Sequence, residues 1–112
     1  MAASLKDSMG RPIIVVTGMG LATSLGWGKS DTWAGLMSRR SGIKRITRFA
    51  TDGLRTTIAG TVDPPDGAPY SAYTLSLALS EAVAAEAISE ARIGTPGNFP
   101  GPLLIATPPS EL

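Results

Sequence analysis

From Tyr70 to Arg92 the chain runs without a glycine or proline and is rich in Ala, Leu and Glu, which predicts one long helix. This stretch constrains the fold most, because its apolar residues do not keep to one side. At helical spacing Leu75, Leu79, Ala82 and Val83 cluster together, while Leu77, Ala84, Ile88 and Ala91 fall opposite. A helix apolar on both sides expects burial on both sides.

The rest of the sequence predicts what surrounds that helix. Pro12 precedes four β-branched residues, Ile13 to Val16, and Gly18 and Gly20 follow, a pattern expected of a strand buried on both faces. A glycine-punctuated loop continues to Gly28. Ser30 is then the expected N-cap, with Asp31 in the first turn, of a short helix reaching about Ser38, whose Trp33, Leu36 and Met37 share a face. Arg39 to Arg55 reads as basic and irregular, with turns at Gly42 and Gly53. Thr56 to Val62 is a second expected strand, stopped by the proline- and aspartate-rich stretch Asp63 to Pro69. After the long helix, Gly94-Thr95-Pro96-Gly97 ends it. Leu103 to Ala106 reads as a third buried strand, closed by Pro108-Pro109. The order strand, helix, strand, helix, strand places the chain in the α/β class with parallel pairing. Three strands and two helices do not supply two covering layers, so the unit reads as truncated.

Composition removes most catalytic chemistry. The 112 residues include no Cys and no His. Thiolate nucleophiles, imidazole bases, Ser-His-Asp and Cys-His arrangements and the usual Cys/His zinc sites are thereby excluded. No apolar run approaches the roughly 18–20 residues that cross a bilayer, and Ile13 to Val16 is too short for a signal-peptide core. A cytoplasmic protein is expected. The net charge of +1 argues against a dedicated nucleic-acid binder, but it hides an uneven distribution. Residues 1–56 carry nine basic and three acidic side chains; residues 57–112 carry one basic and six acidic. Such halves can attract each other on folding or face different partners, against the blander reading of a mixed, solvated surface.

Each candidate motif has a bland counterpart. Gly18-Met19-Gly20-Leu21-Ala22-Thr23 fits the first two positions of a dinucleotide fingerprint, with Thr23 where the third glycine belongs. Gly28-Lys29-Ser30 resembles the tail of a P-loop, yet ten residues separate it from the expected strand end, where a P-loop begins directly. Tight backbone packing explains these glycines better than phosphate binding. Arg39, Arg40, Lys44, Arg45 and Arg48 form a basic run with only Phe49 as an interleaved aromatic, which favours a solvated connection over a base-stacking surface. Glu86 and Glu90 stand at i, i+4 with Glu81 nearby. Paired carboxylates do acid–base work only when their environments separate their pKa values, and nothing in the sequence places these in a pocket. Trp27 and Trp33 read as packing anchors. No catalytic, cofactor-binding or metal-binding residue is assigned.

Taken together, Ile14-Val15-Val16-Thr17-Gly18-Met19-Gly20-Leu21-Ala22-Thr23-Ser24-Leu25-Gly26 resembles the opening of the β-ketoacyl-[acyl-carrier-protein] synthases, where a V-V-V-T-G-x-G-x-x-[ST]-x-x-G pattern starts the chain. Thr32-Trp33-Ala34-Gly35-Leu36 is similar to the family's first helix. Ser41-Gly42-Ile43, followed by Ile46, Phe49 and Asp52, is similar to its "SGI…I..FD" segment, and Thr57 to Val62 to its second strand. Asp52 to Thr57 and Gly101 to Pro109 look closest to a proteobacterial, KAS II-like branch working with specialised carrier proteins.

The resemblance implies a thiolase-like fold. Residues 1–11 would be a polar N-terminal extension, and residues 12–112 an incomplete N-terminal half of a synthase domain. It implies decarboxylative Claisen condensation of acyl and malonyl-carrier protein in fatty acid biosynthesis, acyl carrier protein as partner and a homodimer in the full-length enzyme. The family's Cys nucleophile and two His residues lie downstream of the matched region, so none carries over and this chain alone is expected to be inactive. Many relatives enter the second helix with a basic cluster; here that entry reads Pro69-Tyr70-Ser71-Ala72, and carrier docking there is doubtful. Arg39 to Arg48 is an alternative docking surface. The rival reading is a short non-catalytic protein that pairs with a condensing enzyme or carrier protein, its partner covering the apolar helix faces.

Overall fold

The computed structural model describes residues 5–64, 66–95 and 97–106. In chain order these form a hairpin of β1 (Ala22–Thr23) and β2 (Gly26–Trp27), helix α1 (Gly28–Met37), strands β3 (Lys44–Arg45) and β4 (Ile58–Ala59), and the long helix α2 (Ala72–Ala91). β1 pairs with β2 and β3 with β4, both antiparallel. The class is mixed α/β, with two helices and two small sheets.

α2 forms where the uninterrupted helix-forming run lies, and its ends have local causes. The Ser71 hydroxyl accepts from the Thr74 N–H at 3.1 Å, satisfying a donor that the first turn leaves free. At the other end Arg92 takes a left-handed conformation (φ 54°) and its N–H reaches the Ser89 carbonyl at 3.3 Å, so the helix stops before Gly94. α1 ends in a Schellman arrangement: Arg39 N–H bonds to Leu36 O, Arg40 N–H to Gly35 O, and Arg39 is left-handed at φ 55°.

α1 departs from expectation at its start and on its face. It begins at Gly28, two residues before Ser30, and its cap residue Trp27 offers no side-chain bond. The buried positions are Thr32 and Gly35, while Trp33, Leu36 and Met37 are 64%, 55% and 66% exposed. The reason is the β1–β2 hairpin, which lies on the small residues: Thr23 and Thr32 hydroxyls meet at 3.0 Å, and a methyl on Gly35 would stand 3.0 Å from Leu25 Cβ.

The strand expectations need the larger corrections. Ile13 to Val16 is neither a strand nor buried, and Leu103 to Ala106 is likewise irregular and exposed. The expected strand at Thr56 to Val62 contracts to Ile58–Ala59, and its partner is Lys44–Arg45, inside the run expected to be irregular. The expected parallel pairing is absent among the described residues. A strand persists only where a neighbour answers its backbone groups. Ile13 donates instead to Leu5 O at 2.9 Å, across a turn closed by Asp7, whose carboxylate accepts from Met9 and Arg11. Ile46 donates to Thr57 O, which extends the β3–β4 contact by one residue. Pro96 and Pro108-Pro109 lie outside the described residues.

Burial is correspondingly thin. Leu75 is the buried apolar side chain and Thr32 the buried polar one among the described residues. The radius of gyration is 18.4 Å, against about 13 Å for a compact domain of this length. Because the Ser71 cap replaces an otherwise unmade bond, Ser71→Ala should lower stability by about 1 kcal/mol, read as an earlier loss of helical signal in urea.

Candidate functional site

The glycine loop and the C-terminal half of α2 meet backbone to backbone. A methyl on Gly20 would overlap the Val83 carbonyl oxygen; on Gly18 it would overlap that of Ala87 and lie 2.8 Å from Ala91 N. Backbone therefore rests on backbone, and only glycine allows it. The register follows from two repeats. Two residues of extended chain advance about 6.7 Å and four residues of helix about 6 Å, so Gly18 and Gly20 sit against successive turns of α2.

The intervening N–H groups, also two residues apart, meet carboxylates one helical turn apart. Met19 donates to Glu90 Oε2 at 2.7 Å and Leu21 to Glu86 Oε2 at 3.0 Å. Glu86 Oε1 accepts the Lys29 N–H at 2.9 Å, supplying the N-terminal cap that Trp27 lacks. Lys29 Nζ pairs with Glu90 Oε1 at 2.6 Å. These bonds hold both acids below the usual glutamate range. For Glu86 the Lys29 and Leu21 N–H groups dominate; for Glu90 it is the Lys29 side chain, then the Met19 N–H.

This chemistry decides between the readings of the motifs. Acids held ionised, their oxygens engaged by backbone N–H groups and the Lys29 ammonium, are poor proton donors near neutral pH. Glu86 and Glu90 anchor the loop. The P-loop-like Gly28-Lys29-Ser30 does stand at a helix N-terminus, but the anion there is the protein's own Glu86 carboxylate. Gly18 and Gly20 serve tight backbone packing, as the sequence suggested. The union of loop, Lys29 and both glutamates was not foreseen. Its signal was the match between Gly-x-Gly spacing and Glu-x-x-x-Glu spacing.

The basic run is braced from within. Arg40 donates to Leu25 O, Lys44 pairs with Asp63, and Arg48 donates to Val62 O. Arg45 lies on β3, and Phe49 is exposed. Two ion pairs, Lys29–Glu90 and Lys44–Asp63, join the basic and acidic parts of the chain. Trp27 anchors the hairpin through Nε1–H to Asp63 O at 2.5 Å, whereas Trp33 faces outward. Glu81 stands apart from the other two acids. With Leu77, Ala84, Ile88, Leu103 and Ile105 it lines an apolar groove of about 450 Å³ on another side of α2. Among the described residues no group of three or more acids forms a metal cluster, and no helix is long and apolar enough to cross a membrane.

The backbone contact has a direct consequence. Gly20→Ala should cost about 1–3 kcal/mol through overlap with α2, measured by denaturant unfolding. Gly101→Ala is the control, because a methyl there meets nothing nearer than 3.6 Å and should leave the midpoint unchanged.

The family comparison covers this same region. The family described as "Beta-ketoacyl synthase, N-terminal domain" matches residues 12–91. A 49-residue stretch is 43% identical to the 3-oxoacyl-[acyl-carrier-protein] synthase 2 of Coxiella burnetii (strain RSA 493 / Nine Mile phase I), covering 44% of this chain and 12% of that relative. No solved structure gives a significant match. With the family pattern running from Pro12 to Ala91, across both helices and the glycine joint between them, the chain belongs to the β-ketoacyl synthase N-terminal domain family.

Proposed function

We propose that this chain is the N-terminal scaffold of a 3-oxoacyl-[acyl-carrier-protein] synthase, an acyltransferase that condenses acyl and malonyl-carrier protein in fatty acid biosynthesis. The observation that carries the reading is the family match over residues 12–91. The KAS II-like character rests on the 43% identity to a synthase of that type. Residues 1–11 are an extension, and residues 12–112 are part of the N-terminal half of the synthase domain.

The reaction needs a thiolate to take the acyl group and donors to stabilise the enolate left when malonyl-carrier protein loses carbon dioxide. This sequence holds neither Cys nor His. Its contribution is therefore architectural: the glutamate-clamped loop and α2 form a rigid joint onto which the rest of the enzyme packs. The exposed runs Ile13 to Val16 and Leu103 to Ile105, with the groove beside α2, support this reading, since apolar surface of that extent is normally covered. Acyl carrier protein and a second synthase subunit are the partners of the complete enzyme, and the cytoplasm is its compartment.

Two measurements test it. The isolated chain, given acyl- and malonyl-carrier protein, should form no carbon–carbon bond. A chimera of the Coxiella burnetii synthase carrying residues 12–91 in place of its matching segment should keep kcat/KM within about tenfold of the parent. A folded chimera without condensing activity, or turnover by the isolated chain, would overturn the proposal. The former outcome would favour a non-catalytic binding protein.

A further inference from the structure

We infer that Glu86 and Glu90 form an acid-released latch, whose protonation frees residues 18–29 from α2 while α2 itself stays helical. The inference stands on geometry and is independent of the proposed enzymatic role. Four contacts converge within one helical turn: Met19 N–H and Lys29 Nζ on Glu90, and Leu21 N–H and Lys29 N–H on Glu86. They tie a loop to a helix 57 to 71 residues away in sequence. The charged groups facing the two glutamates are few among the described residues. α1 contributes Lys29, the loop contributes backbone N–H groups, and on α2 the two acids face each other.

Every one of these contacts uses the ionised form. A carboxylate accepts from several donors at once, whereas a protonated carboxyl turns one oxygen into an O–H donor and loses the charge that attracts Lys29 and strengthens the N–H bonds. Two further features make the release local. Gly18 and Gly20 bring no side chain to the joint, so at these two positions the loop meets α2 without apolar side chains of its own. α2 keeps its own Ser71 cap and its own backbone ladder, neither of which involves the glutamate side chains.

The direction in pH follows from the lowered acid strengths. Both groups are more acidic in the folded chain than in the unfolded one, so their stabilisation is complete above the ordinary glutamate value near 4.5 and disappears as pH falls through the lower folded values. The latch is therefore shut at neutral pH and opens in acid.

Amide hydrogen exchange on the full chain, corrected for the intrinsic effect of pH, tests this. Between pH 6 and pH 3, protection at Met19, Leu21 and Lys29 should fall at least about tenfold, while amides in the middle of α2 keep theirs. In Glu86→Gln/Glu90→Gln, where the amides keep an acceptor but not the charge, protection at the three positions should be low and independent of pH. Lys29→Met provides a second variant that leaves both glutamates in place; it should shift the loss of protection to higher pH. Unchanged protection in the wild-type chain, or loss at the three amides in step with α2, would overturn the inference.

Discussion

An extended chain and an α-helix are normally kept apart by their side chains, yet here the loop around Gly18 and Gly20 lies directly on the backbone of α2. That approach sets the terms for everything nearby. It leaves the N–H groups of Met19 and Leu21 facing a helix whose own carbonyls are already used, and a partially desolvated donor without a partner is costly. Glu86 and Glu90 supply the acceptors, and because each carboxylate has a second oxygen, the same two residues reach α1. One small joint thereby orients the hairpin, the first helix and the second.

The remainder of the molecule is held by short-range devices and little core. The hairpin seats on Thr32 and Gly35, the β3–β4 pair is braced by Lys44–Asp63, and Trp27 ties the hairpin to the chain after β4. Against this, four β-branched residues after Pro12 and the Leu103–Ile105 run remain exposed, and an apolar groove follows one side of α2. Hydrophobic burial usually supplies most of the driving force for folding. Among the described residues that driving force is therefore realised only in part, and much apolar surface stays uncovered.

Legibility in the sequence depended on whether the cause was local. α2 was readable because propensity and the absence of Gly and Pro lie within its own span, while its Ser71 cap emerged only in the structure. Gly18 and Gly20 were readable as packing glycines, but not their contact, since nothing local names Val83, Ala87 and Ala91 as the surface they meet. The apolar runs Ile13 to Val16 and Leu103 to Ala106 carried strand propensity without a strand. Propensity describes what a residue favours once a neighbouring strand exists, and none pairs with them among the described residues. Trp33, Leu36 and Met37 shared a face as expected, but the hairpin took the opposite, smaller face.

By itself, then, the sequence determined the long helix and its ends, the glycine signature of the loop, the family, and the absence of any thiol or imidazole. These follow from covalent identity and from interactions spanning a few residues. Tertiary structure alone decided the partners: which strands pair, which face of α1 is covered, and that Glu86, Glu90 and Lys29 close one joint. Those outcomes depend on groups tens of residues apart arriving at hydrogen-bonding distance. A side chain's chemistry sets what it can bind, but only the folded path of the backbone brings the partner within reach.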